Sequence, residues 1–145
     1  MNADPTLRGR VLLGGKVRGF VGRYAGLVEE AYLTMVAGKP LYLCGGFGGC
    51  TRAIIEAVLG NKPDALKQSL HESDPPYAAL VDEYRRRGPE PIDHTALVGF
   101  FEGRGIDGLN NGLSRDDNQT LFRTSHVTEM IHLVLKGLAN QKSST

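Results

Sequence analysis

The chain has 145 residues, 17 basic against 16 acidic side chains, and 41% apolar residues. That profile fits one domain able to bury roughly two thirds of the surface its unfolded chain exposes. The balance of charge excludes a dedicated nucleic-acid binder, whose phosphate contacts call for a basic excess, and no run of 18 apolar residues is present to cross a membrane. Glycine is the exception. Twelve of the 19 glycines fall in the first 60 residues, where average usage of about 7% places roughly four. Such crowding asks for positive φ or for close backbone approach to something bound.

Residues 1–10 lack the apolar core of a secretory signal, so a cytoplasmic location is expected. Arg10 to Gly14 form a short apolar run stopped by Gly14 and Gly15, the pattern of a buried strand entering a loop. That loop carries Lys16, Gly19, Gly22 and Arg23 and ends at Gly26. Leu27 to Ala37 read as a helix with Leu27, Ala31 and Met35 at i, i+4 spacing and with Glu29 and Glu30 in its first turn; Gly38 and Pro40 end it. Leu41 to Leu43 form a second apolar run, glycines follow again, and Thr51 to Leu59 read as a second helix closed by Gly60. Strand, glycine loop and helix, given twice, predict an α/β fold with a Rossmann-like parallel sheet and flanking helices.

Past Gly60 the pattern turns helical. A polar stretch reaches Pro76, with a short helix at Ala65 to Leu70, and helices are predicted over Tyr77 to Arg87 and His94 to Phe101. Arg104 to Gly112 read as a loop with a brief strand near Ile106. Ser114 caps a helix to Phe122, with Asp116 and Asp117 in its first turn. The last helix, capped by Thr124 or Ser125, places Val127, Met130, Ile131, Val134, Leu135 and Leu138 on one face, and Asn140 to Thr145 are expected to fray. Two strands make a poor open sheet. Either further strands lie in the helical C-terminal half, or the chain borrows sheet from a partner.

Two loops carry the candidate chemistry. In the stretch Cys44 to Thr51, an apolar strand runs into Gly45, Gly46, Phe47, Gly48 and Gly49 and then into Cys50 and Thr51 at a helix start. Strand carboxyl ends and helix N-termini are where open α/β sheets hold anions, and glycines admit a phosphate closely. The alternative is a tight turn around a packed Phe47. The first loop repeats the arrangement with Gly14, Gly15, Lys16, Gly22, Arg23 and Gly26 as candidate ligand contacts; Glu29 and Glu30 also read as ordinary solvated first-turn acids. The spacing matches neither GxGxxG nor the P-loop. Cys44 and Cys50 offer no CxxC pair, and the histidines His71, His94, His126 and His132 lack ligand spacing, so no metal and no cofactor is expected. His94 and His132 read as structural. Asn110, Asn111 and Gly112 form a turn that reaches a ligand only if it folds back to the strand ends.

The glycines before Gly26-Leu27-Val28-Glu29-Glu30 resemble the PGGxGTxxE signature of LOG-like, lysine-decarboxylase-related proteins, with Glu30 at the motif glutamate. The longer run from Gly14 to Ala31, with Gly38 to Leu43 and Gly45 to Cys50, resembles the SLOG superfamily, as do Asn110 to Phe122 and Leu133 to Leu138. The resemblance implies a single Rossmann-like domain over residues 1–145, either a natural short form or the C-terminal part of a larger family protein. It further implies a sensor that binds a nucleotide or NAD-derived ligand, often in prokaryotic antiphage systems. The LOG branch implies a second function, phosphoribohydrolase cleavage of an N-glycosidic bond, with Glu30 and Arg23 catalytic. Gly22-Arg23-Tyr24-Ala25 stands where that motif has Pro-Gly-Gly. A third reading is an assembly subunit without ligand. Expected partners are a nucleotide-like small molecule and either a second copy or a larger protein, with no membrane and no nucleic acid.

Overall fold

The computed structural model describes residues 6–17, 24–87 and 92–143. The two apolar runs form strands β1 (Arg10–Leu13) and β2 (Leu41–Cys44), paired in parallel with Arg10 opposite Leu41 and Leu13 opposite Cys44. Helix α1 (Gly26–Val36) connects them, and α2 (Gly49–Val58) follows β2. Both helices stop in the same way. Gly38, at φ +68°, lets its own N–H reach Met35 O and that of Lys39 reach Thr34 O; Gly60, at φ +87°, does the same through Ala57 O and, from Asn61, Glu56 O. These paired bonds satisfy carbonyls that the last helical turn leaves open, in a left-handed geometry cheap only for glycine.

The remainder is helical: a 3₁₀ turn (Asp64–Leu66), α3 (Gln68–Glu72), α4 (Pro75–Arg87), α5 (His94–Arg104), a second 3₁₀ turn (Asp107–Leu109), α6 (Arg115–Arg123) and α7 (Val127–Ser143). Asp93 caps α5 through Ala96 N, and Ser114 caps α6 through Asp117 N at 3.1 Å, as its sequence signature predicts. The fold is therefore mixed α/β and mostly helical, and among the described residues its sheet has two strands. The wider Rossmann-like sheet is not found there. Ile106 leads a 3₁₀ turn rather than a strand.

Strand alternation gives the sheet two unlike faces. Leu12, Leu41 and Leu43 pack with Val28, Ile54, Ile55 and Phe101 in the main core, while Tyr42 and Cys44 turn to the opposite face against Leu121, Met130 and Leu133. The β2 side of the sheet is sealed by polar stitching. Asn111 Nδ2 donates to Leu41 O at 2.9 Å and to Asn118 Oδ1 at 2.7 Å, Asn111 Oδ1 accepts from Leu113 N, and Tyr42 Oη donates to Asn111 O.

Helix α7 is rotated from the single core face its sequence predicts. Met130, Leu133 and Gly137 are buried, whereas Val127, Ile131 and Leu135 stand more than half exposed. Gly137 decides the rotation, because a Cβ there would run into Asn111 O and Tyr42, so the helix presses its one side-chain-free position onto β2. The predicted fraying is also absent through residue 143: Asn140 donates to Gly112 O, and Gln141 to Asn110 O.

Candidate functional site

Both glycine loops leave the carboxyl ends of paired parallel strands, so they lie side by side. Their contact is backbone to backbone. Gly14 (φ +62°) and Gly15 (φ +100°) turn their carbonyls toward the first turn of α2, where Cys50 N–H donates to Gly15 O at 3.1 Å and Thr51 N–H to Gly14 O at 2.8 Å. The Thr51 hydroxyl adds a second bond to Gly14 O at 2.9 Å. Gly49 (φ +67°) lies so close that a Cβ would sit 2.7 Å from Gly15 O. Gly45 and Gly46 lie against the carbonyls of Phe122 and Thr124, where α6 gives way to α7. Six of the predicted ligand contacts (Gly15, Gly45, Gly46, Gly49, Cys50 and Thr51) therefore have close protein neighbours of their own, Gly15 against Leu27 and Cys50, and the α2 amides of Cys50 and Thr51 are bonded within the protein.

Other positions remain open to solvent. Phe47 is 52% exposed rather than packed within its turn, and Gly15, Lys16 and Gly26 are exposed. Helix α1 has no side-chain cap, and its first turn relies on Ala25 O, which accepts from Val28 N and Glu29 N. Gly22 and Arg23 lie outside the described residues. Cys50 is 1% exposed, and burial pushes its thiol up to about 11 against a smaller lowering by the Val28 backbone. It is a packed neutral thiol rather than a nucleophile. Cys44 is likewise buried with its thiol pushed up.

Glu30 is drawn to the other end of β1. Arg10, the first residue of that strand, donates through Nη1 to Glu30 Oε2 at 2.8 Å and through Nε to Thr34 Oγ1 at 3.2 Å. The Asn turn is also remote from the loops, because Asn111 bonds the first residue of β2 and Asn110 (φ +48°) donates to Gly38 O.

A second polar cluster escapes any reading by spacing. His71 of α3 and His94 of α5 stack with ring centroids 4.6 Å apart, flanked by Tyr24 and Tyr77. Gln68 Nε2 donates to Glu72 Oε1, which turns Gln68 Oε1 toward His94 Nδ1 at 2.7 Å and assigns the proton to that nitrogen. His71 Nε2 donates to Ala65 O at 2.7 Å. Burial, reinforced by the His71 charge and opposed by Asp93, lowers His94 to about 4. The space these rings share with Ala25, Val28 and Cys50 admits no water molecule among the described residues. Among the described residues no His, Cys, Asp and Glu grouping suits a metal ion.

The family model described as SLOG cluster2 matches residues 4–121, more than half of the chain, and its span includes both glycine loops. The chain belongs to the SLOG cluster2 family. No match was found among curated proteins or among solved structures. Membership in the SLOG superfamily associates the domain, at that coarse level, with nucleotide-related ligands or LOG-like function. No described helix of this SLOG domain is long and apolar enough to cross a membrane.

Proposed function

We propose that this SLOG domain is a cytoplasmic sensor that binds a nucleotide or NAD-derived ligand on the outer rim of the two loops. The ligand phosphate lies at Gly14, Gly15 and Lys16 beside the α1 N-terminus at Gly26, and the exposed ring of Phe47 receives the base. The observation that carries this reading is the contrast between the two helix starts. Neither helix has a side-chain cap, but the α2 amides of Cys50 and Thr51 are bonded to the first loop, whereas α1 begins at an exposed Gly26 next to an exposed lysine-bearing loop. A helix start of that kind offers N–H groups and partial positive charge to an anion.

Isothermal titration calorimetry against nucleoside mono- and diphosphates, ADP-ribose and cyclic ADP-ribose tests the proposal. Binding of at least one is expected, weakened about tenfold by Phe47→Ala, since base stacking on an aromatic ring contributes about 1–3 kcal/mol. Absence of heat with every compound would overturn it. The hydrolase reading makes Glu30 essential for release of free base from a nucleoside monophosphate. The Arg10 ion pair favours a structural part for Glu30, so Glu30→Gln is expected to leave ligand binding unchanged. Antiphage signalling is the setting in which such a sensor would act.

A further inference from the structure

The second glycine loop is gripped at both ends, and the grips set an order in space. Gly48 N–H donates to Gly45 O at 3.1 Å, which closes a tight turn with Phe47 in its third position and leaves that exposed ring at the apex. On one side of the apex, Gly49 lies against Gly14 and Gly15 of the first loop. On the other side, Gly45 N–H donates to Leu121 O at 3.2 Å, and a Cβ on Gly46 would run into Thr124 O and sit 2.8 Å from Ser125 N. Arg52 of α2 holds the same segment by donating through Nη1 to Phe122 O at 3.1 Å. The junction between α6 and α7 is thus a third wall beside the two loops, and Phe47 stands between that wall and the first loop.

The junction orders its own backbone without using its exposed polar side chains. The hydroxyl of Thr124, a buried residue, accepts from His126 N–H at 3.2 Å, and Met130 N–H donates to His126 O as α7 begins. Ser125, one of the two residues that the sequence offers as the α7 cap, makes no capping bond. Its hydroxyl and the His126 ring are exposed, and neither has a hydrogen-bond partner among the described residues. A hydroxyl, like a neutral imidazole, can both donate and accept. Two unused groups of that kind therefore adjoin the turn that carries the exposed aromatic ring.

An aromatic platform alone is tolerant, because every base has a π-face to lay on it. Discrimination requires polar groups at the margin of the platform that pair with one base edge and are left unsatisfied by another. On the reading that the base of a nucleotide lies on Phe47, we infer that Ser125 and His126 read the edge of that base, so that the α6–α7 junction sets which nucleotide the domain binds. The order of the three walls gives the ligand its direction: phosphate at the first loop, ring over the apex, base edge at the junction. Phe47 supplies affinity for any base, and the junction supplies the choice among bases.

Calorimetry of the full chain with the diphosphates of adenosine, guanosine, cytidine and uridine tests the inference. The unmodified chain is expected to prefer one base by about tenfold or more, the worth of one or two net hydrogen bonds. In Ser125→Ala combined with His126→Ala that preference should fall to within about threefold, while helical circular dichroism is unchanged, since both side chains are exposed. His126→Gln, which keeps a donor and an acceptor, should retain more of the preference than His126→Ala. Phe47→Ala should instead weaken all four diphosphates by a similar factor. An unmodified chain indifferent to the base, a preference that survives in the double variant, or a double variant that weakens all four equally would each overturn the edge-reading role and leave binding at the loops standing. Absence of heat with every diphosphate would overturn the placement of the base on Phe47, and the edge-reading role with it.

Discussion

Gly48 and Gly49 form a matched pair for asking what the glycines of the second loop are for. Both have positive φ, at +69° and +67°. A Cβ on Gly48 meets nothing within 4 Å, whereas one on Gly49 sits 2.7 Å from Gly15 O and 2.9 Å from Gly14 C. Gly48, at φ +69° and ψ −141°, lies in a region held almost only by glycine, so Gly48→Ala carries the conformational penalty alone, about 1–3 kcal/mol. Gly49→Ala carries a positive-φ penalty of similar order plus an overlap with main chain that no rotamer change relieves, about 1–3 kcal/mol more by comparison with overpacked cores. The expected totals are about 1–3 and about 2–6 kcal/mol. Urea denaturation of the ligand-free protein, with equal m-values as the check on a common unfolded state, measures the difference. If the two variants were equally stable within about 0.5 kcal/mol, or if Gly49→Ala weakened only ligand binding, the loop-to-loop contact would not be the reason for glycine at this position.

The buried histidine pair predicts a pH dependence. His94 sits at about 4 in the folded chain because burial disfavours its charged form, with His71 adding to the effect and Asp93 opposing it. The unfolded chain, near 6.5, takes up the proton first, so this contribution is complete above about pH 6.5 and is lost as pH falls toward 4; its ceiling is about 3 kcal/mol. Thermal unfolding across that range should show the decline, and His94→Gln should flatten it; an identical slope in the variant would refute the assignment. Asn111→Ala should cost about 2–4 kcal/mol in chemical denaturation, because it leaves the buried Leu41 O and the half-buried Leu113 N without their partners. A cost under 1 kcal/mol would mean that water replaces the side chain.

The first 60 residues were legible because their punctuation is local. Gly14, Gly38 and Gly60 mark element ends through backbone conformations that only a few neighbouring residues determine, and the observed boundaries of β1, α1, β2 and α2 fall within two residues of the predicted ones. Ser114 was legible for the same reason. The glycine excess itself was visible, but the object each glycine approaches was not, since Gly45 meets Phe122 and Gly46 meets Thr124 more than 70 positions away. The rotation of α7 depends on Gly137 meeting Asn111, and periodicity alone does not choose between two adjacent apolar lines on a helix rich in Val, Ile and Leu. His71 and His94 stack across 23 positions, beyond any spacing rule, and the Asn111–Asn118 pair read only as turn and helix composition. Glu30 was found by resemblance to a motif, and its ion pair with Arg10 of β1 lies outside what that motif describes.

The bonds from Cys50 and Thr51 to the first loop carry a further electrical consequence. A trans peptide is a rigid plane whose N–H points opposite to its C=O. When Gly14 O and Gly15 O accept from α2, the N–H groups of the same two peptide units, those of Gly15 and Lys16, are directed away from the helix. Hydrogen-bonded peptide groups polarise one another in series, so the partial positive charge at the start of α2 is carried through one layer of backbone and emerges on the far side of the loop. The first loop thus acts as a dielectric relay, extending the reach of a helix whose own first amides are already engaged.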